Sequence, residues 1–234
     1  MEATRKKAGR RELWLIGILT LVAVVLGATL LIGNKDETSD AATQPTAAEM
    51  GPAGDHSRRI SGDPLAIGSV DAPVVLVEYS DYRCPFCAKF SRDTEPALIE
   101  KYVNSGILRI EWRDLPIFGE QSTSAARAGR AAAAQGKFWE YNAALYSQAP
   151  DRGHPDLTIA ALNDIAAKAG VPDLERFEAD AASSKFDESI SQDMYEARMT
   201  GLSSTPSFIV NGTPVLGAQP LKIFERVIDR AAGL

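Results

Sequence analysis

The pattern of apolar and polar positions divides the chain into three stretches. Residues 13–32, LWLIGILTLVAVVLGATLLI, form a run of 20 positions without a charge. As a helix, such a run covers ~30 Å, the thickness of the hydrocarbon core of a bilayer. Residues 33–59 are rich in Ala, Gly, Pro, Thr and charge and almost free of large apolar side chains. A segment of that kind cannot bury enough surface to fold alone and reads as a flexible tether. From Ile60 onward the pattern is that of a folded domain, residues 60–234.

Within that domain, residues 73–80 (PVVLVEYS) are apolar and β-branched, which predicts a buried strand. A helix follows over 85–103, with a kink expected at Pro96. Residues 107–113 (ILRIEWR) predict a second strand, and the strand–helix–strand order predicts parallel pairing. Five helical segments come next, at 122–135, 137–147, 158–169, 173–182 and 185–200. The pattern then returns to strands at 207–210 and 213–216, joined by the hairpin signal Asn211-Gly212, and closes with a helix at 220–232. The plan is β-α-β, a helical block, then β-β-α.

Charge sharpens the first stretch. Residues 1–12 carry five basic and two acidic side chains, leaving −9 on the remainder of a chain whose net charge is −6. Basic residues before the apolar run and acidic ones after it predict a cytoplasmic N-terminus (1–12), a transmembrane signal-anchor (13–32) and an extracytoplasmic remainder, so the expected location is the cell membrane, single-pass. The alternative is a cleaved signal peptide, against which stand the length of the run and the lack of a small-x-small cleavage site. An acidic body does not suit a phosphate backbone, so no nucleic-acid partner is expected.

The chain has only two cysteines, and both lie in Cys84-Pro85-Phe86-Cys87. After a strand and at the start of a helix, this spacing puts the two sulfurs on one face, close enough for an S–S bond of about 2.05 Å. Pro85 sits where a helix accepts proline. Cys84 then meets the positive end of the helix dipole, which stabilises a thiolate. Cys84 is the expected nucleophile and Cys87 the resolving thiol, and Pro85 and Phe86 add no charge. Arg83 could add to the thiolate's stabilisation. A zinc half-site would need two more ligands, and His56 and His154 lie far off in sequence, so no metal is expected. A purely structural disulfide gains little from closing so short a loop. A redox dithiol is the favoured reading.

Around this motif the chain resembles the DsbA-like branch of the thioredoxin fold. The residues that carry the likeness are Asp71-Ala72-Pro73 leading into VVLVEYSDYRCPFC, the continuation AKFSRDTEPALIEKY, Ser124-Ala125-Ala126-Arg127, QGKFWEY at 135–141, and LSSTPSFIVNG at 202–212. The likeness covers residues 64–232. It implies a thioredoxin-like α/β fold with an inserted helical subdomain at about 118–200, here preceded by one N-terminal transmembrane helix. It implies that Pro206 is the cis-proline beside the cysteine pair and that Thr205 offers its backbone to an extended substrate. For Glu78 two readings stand: an edge position reaching solvent, or, by the resemblance, an acid beneath the site that assists proton transfer at Cys87.

The expectation is therefore a protein-disulfide oxidoreductase that donates the Cys84–Cys87 disulfide to cysteine-containing extracytoplasmic proteins, without an organic cofactor. By the resemblance, a quinone-linked membrane partner, DsbB-like or vitamin K epoxide reductase-like, would reoxidise it. A reductase running the same chemistry backwards is the first alternative. A non-catalytic binding or chaperone module is the second.

Overall fold

The computed structural model describes residues 50–234. Both the cytoplasmic segment and the anchor expected at 13–32 lie outside them, as does most of the tether. Among the described residues no helix is long and apolar enough to cross a membrane.

A five-stranded sheet forms the frame, in the order β1-β3-β2-β4-β5. Its strands are β1 (Ala66–Ile67), β2 (Val74–Ser80), β3 (Leu108–Asp114), β4 (Ser207–Val210) and β5 (Thr213–Leu216). β2 and β3 run parallel, joined by the predicted helical crossover, while β4 lies antiparallel on the other side of β2. β2 is thus the central strand, buried at every position. Both of its faces are covered, which is why its sequence is an apolar run rather than a strict alternation. The two-residue β1 was not expected, since two residues carry no periodicity.

The predicted first helix is broken. α1 (Pro85–Asp93) ends at Thr94, α2 (Glu95–Leu98) follows, and a π-helical turn (Ile99–Val103) completes the segment. Pro96 explains the break, because its ring has no N–H to donate and meets the carbonyl of Arg92. The helical block comprises α3 (Glu120–Ala133), α4 (Phe138–Ser147), α5 (Ile159–Lys168), α6 (Leu174–Ala182) and α7 (Asp187–Met199), and α8 (Leu221–Ala232) closes the chain. Thr158 caps α5 by accepting from the Ala161 N–H at 3.2 Å, and Asp173 caps α6 by accepting from Arg176 at 2.9 Å. Asn211 and Gly212 both take positive φ (40° and 77°), the geometry a two-residue hairpin loop requires.

Three apolar clusters hold these layers together. Phe90 of α1, Phe208 of β4 and Phe224 of α8 meet with ring centroids 4.4–5.1 Å apart and fasten the motif helix to the sheet. A second cluster joins Cys87 and Ala88 to the helical block. The third packs Val75, Val77 and Tyr79 on the opposite face of β2, with Ala197 of α7.

The described end of the expected tether differs from expectation. Residues 51–59 lie on the domain. The N–H groups of Gly51 and Ala53 donate to the carbonyls of Asn211 and Gly212, at 2.8 and 2.9 Å. The Arg58 and Arg59 N–H groups both donate to the Glu111 carboxylate at 2.9 Å. Arg58 also pairs with Asp193 and Glu196 of α7, and Asp193 pairs in turn with Arg130 and, through Arg130, joins Asp114. Burial opposes ionisation of Glu111, but the Arg58 N–H, Arg109 and Arg113 overcome it and hold the carboxyl at about 2. The polar face of β3 is therefore not solvated. It is a buried, charge-matched layer under the N-terminal strap.

Candidate active site

The cysteines sit where β2 hands over to α1. Cys84 is the N-cap of α1, in extended backbone geometry, and Pro85 occupies the first helical turn. The Cys84 N–H donates to the Asp81 carbonyl at 3.0 Å. Both thiols are free. Cys84 exposes 2 % of its surface and Cys87 none, while Phe86 between them is 61 % exposed. An incoming group can therefore reach only the Cys84 sulfur, beside the Phe86 ring.

The two thiols are electrostatically unlike. Cys84 is drawn down from 9.0 to about 6, first of all by a hydrogen bond from the Cys87 thiol. Burial opposes this, and Thr205 and the N–H groups of Cys87 and Phe86 at the helix start reinforce it. Burial pushes Cys87 well above the ordinary thiol range, and its donation to Cys84 pushes it further. At neutral pH the pair is one thiolate and one thiol, the state of a nucleophile with a protonated neighbour.

Arg83 is not among the groups that chiefly set that balance. Its Nε donates to the Pro155 carbonyl at 3.1 Å and its Nη1 to the Phe118 carbonyl at 2.7 Å, so its guanidinium is engaged by backbone. Asp81 fixes the same loop. One carboxylate oxygen accepts the Arg83 N–H at 2.8 Å, and the other accepts those of Ile117 and Phe118 at 2.7 and 3.2 Å. Tyr82 stacks on Trp112 at 5.2 Å and runs against α3, where a Cβ on Gly129 would stand 2.5 Å from its hydroxyl. Only glycine leaves room there. His154, not expected to have a role, stacks on Phe118 and meets the Arg83 carbonyl at 2.8 Å.

On the other side of the motif, the Thr205–Pro206 bond is cis, as the resemblance implied. Cys84 Sγ lies 3.2 Å from the Thr205 carbonyl, which accepts from it when it is a thiol. The Thr205 hydroxyl is buried and meets no partner in hydrogen-bond geometry; the part of Thr205 that favours the Cys84 thiolate is this side chain and not the carbonyl. Cys84, Cys87, Thr205 and Pro206 thus form one group, with β5 continuing the same edge through the Gly217 N–H to the Pro206 carbonyl at 2.8 Å.

Glu78 is not at an edge. It pairs in register with Trp112 of β3 on one side and Phe208 of β4 on the other, and it is 1 % exposed. The reading of a solvent-reaching edge carboxylate is overturned by the central place of β2. Burial, and then the charge of Glu95, raise the Glu78 carboxyl well above its usual range, against a lowering by Ser80. One of its oxygens has no hydrogen-bond partner. Ser80 is two residues along on the same face of the strand. It acts on Cys87 as well, and the Tyr146 hydroxyl lies 3.4 Å from its oxygen.

Glu95, Ser80, Tyr146 and Asp81 were not singled out from sequence. Glu95 reads as an exposed polar residue of a helix; the signal that it turns inward is Pro96 beside it, which breaks the helix there. Among the described residues no cluster of His, Cys, Asp and Glu could hold a metal ion.

Residues 61–230 match the family model described as Thioredoxin. Among curated proteins, the chain is 36% identical over 148 residues to a Na(+)/H(+) antiporter NhaA 3 of Salinispora tropica, a match that takes in 62% of this chain and 21% of that protein. The chain thus spans about a fifth of the length of that relative. It is 31% identical over 150 residues to a probable disulfide bond formation protein D of Bacillus cereus, covering 63% of this chain and 69% of that one. Among solved structures, oxidised BdbD of Bacillus subtilis superposes with a TM-score of 0.68 at 21% identity, over 82% of this chain and 97% of that one. The motif at the head of α1, the sheet order and these matches agree: the chain belongs to the thioredoxin family, in its branch of DsbA-like thiol–disulfide oxidoreductases.

Proposed function

We propose that the protein is an extracytoplasmic thiol–disulfide oxidoreductase that donates the Cys84–Cys87 disulfide to cysteine-containing secreted or membrane proteins. The observation that carries this reading is the asymmetry of the pair: a Cys84 thiol held at about 6 over a buried Cys87 held high. A low thiolate pKa stabilises the dithiol form and so makes the disulfide the better oxidant.

In this scheme a substrate thiolate attacks Cys84 Sγ, the Cys84–Cys87 bond breaks, and Cys87 leaves as a thiolate that takes up a proton. A second substrate thiolate then attacks the substrate sulfur of the mixed disulfide. The substrate leaves oxidised by two electrons, and Cys84 leaves as its stable thiolate. The exposed Phe86 ring and the Thr205 backbone would hold the substrate chain in extended form, with Pro206 closing the floor. Glu78 would exchange the proton of Cys87. Residues 13–32 would anchor the domain, and a quinone-linked membrane protein, of the DsbB-like or vitamin K epoxide reductase-like kind, would reoxidise the pair. The relative named an antiporter has about four fifths of its length outside the match, so ion transport is not carried to this chain.

A second reading runs electrons the other way. A thiol at about 6 stands nearer to thioredoxin's ~7 than to the ~3.5 of a strong oxidant, which favours a readily reversible couple. Trapping separates the two. With Cys87 replaced by Ala, mixed disulfides through Cys84 should accumulate in growing cells. Under the donor reading, the captured partners are reduced in cells lacking the protein. Partners that are instead over-oxidised in such cells would support the reductase.

A further inference from the structure

We propose that Glu95 is the solvent-side member of a two-carboxyl relay that carries protons between Cys87 and water by way of Glu78; the proposal rests on the redox reading of the Cys84–Cys87 site. The need for such a relay is plain from burial. Cys87 and Glu78 have essentially no surface, yet the protonation of Cys87 changes in every redox cycle. A proton passed to Glu78 alone would stop there.

Glu95 is placed to carry it on. It opens α2, at the point where the helix breaks at Thr94, and it is buried there. Its Oε2 accepts from the Ser91 hydroxyl at 2.8 Å. As residues, Ser91 and Glu95 keep 8 % and 7 % of their surfaces exposed, against 1 % for Glu78 and none for Cys87, so this end of the group lies nearer to water. Glu78, for its part, has the orphan oxygen that a shared proton would occupy. The two carboxyls feel one another, and burial first of all raises Glu95 to about 7. Ser80 acts on both Glu78 and Cys87 and completes the inner end, although only its contact with Tyr146 has hydrogen-bond geometry.

The neighbouring elements supply no competing cation. From β2 come Glu78 and Ser80, from α1 Cys87 and Ser91, from α4 Tyr146, and from the loop before the motif Tyr82. Lys89 and Arg92 of α1 are engaged outward, by Asp93 and by Asp151 with the carbonyls of Tyr146 and Ala149. Lys101, Tyr102, Glu225 and Asp229 pair among themselves at the α8 side. Among the described residues no Lys, Arg or His acts on either carboxyl.

The steps balance. When substrate thiolate opens the disulfide, the Cys87 thiolate takes a proton from the Glu78 carboxyl. The Glu78 carboxylate takes one from Glu95, and Glu95 takes one from water. On reoxidation of the pair the same proton travels outward. Glu95 touches no reacting atom and acts through Glu78, as a positioning residue.

The test is the rate at which the oxidised full-length chain is reduced by a small dithiol, followed from pH 5 to 9, for wild type, Glu95→Gln and Glu95→Asp. Glu95→Gln should slow reduction about tenfold near pH 7 and remove an inflection near that pH. Glu95→Asp should restore part of the rate with the inflection displaced. Titration of the Cys84 thiolate should be unchanged, showing an intact site. A wild-type profile in Glu95→Gln overturns the relay and leaves the redox reading standing. Absence of dithiol exchange in the wild type overturns both. Should Glu95→Gln fail to fold, time-resolved infrared spectra during reduction of the full-length wild type decide: a protonated-carboxyl band that is lost transiently, recovers as reduction completes and is displaced in Glu95→Asp is required, and its absence overturns the relay.

Discussion

Replacing Cys84 with serine removes thiol–disulfide exchange, with a loss of at least about 10³-fold, the scale on which an enzyme registers the loss of its covalent nucleophile. The fold should survive, because the substitution trades one small buried atom for another and leaves Pro85 and the α1 N-terminus in place. The check is oxidation of a reduced two-cysteine peptide by the purified full-length chain, alongside circular dichroism. Cys84→Ser should be folded and inert. A folded Cys84→Ser that still oxidises the peptide would remove Cys84 from the chemistry, and an unaltered client-binding activity with no exchange in the wild type would favour the binding-module reading.

The second large effect is on stability, and its sign follows from the Cys84 thiol. Its ordinary value is 9.0 and the folded reduced form holds it at about 6. A group lowered on folding stabilises the folded state fully above its unfolded value and loses that contribution as pH falls through the folded value. A lowering of that size would be ~4 kcal/mol in full. Screening at the mouth of the site and the incomplete range below pH 9 reduce this to about 2 kcal/mol at pH 8, and to nearly nothing by pH 5. The disulfide form has no thiolate and gains none of it. The buried carboxyls titrate in both forms and largely cancel. Urea unfolding of reduced and oxidised chains should therefore show the reduced form gaining on the oxidised by about 2 kcal/mol between pH 5 and 8. Parallel pH dependences would show that the thiolate is not specially stabilised.

Much of this arrangement was legible in the residues themselves, and what was hidden shares one cause. The strand 73–80, the hairpin at Asn211-Gly212 and the helix start at Pro85 are local signals, and each appears within a residue or two of its expected place. Cys84 and Cys87 could be read because two cysteines three positions apart at a helix start share one face of its first turn, whatever the rest of the chain does. Charged residues were the hard ones to place. Along the chain Glu78 admits two readings, and nothing there marks Glu95, Glu111, Arg113 and Arg130 as buried, because what covers them are elements distant in sequence. Residues 51–59 look like linker for the same reason: what holds them is Glu111 and Asp193, reached only in the fold. Arg83 could be placed beside the thiolate from its neighbour in sequence, but the carbonyls of Phe118 and Pro155 that take its guanidinium come from other loops.

One physical claim is central: the environment of Cys84 favours its thiolate and so poises the Cys84–Cys87 disulfide to be given away. Equilibration of the pair against glutathione measures this directly. A Cys84 thiol at about 6 is a unit below thioredoxin's ~7, and a tenfold change in the two-electron equilibrium is about 30 mV, so the potential should lie at about −240 mV or less negative. A value at or below thioredoxin's about −270 mV would contradict the claim and make the protein a reductase.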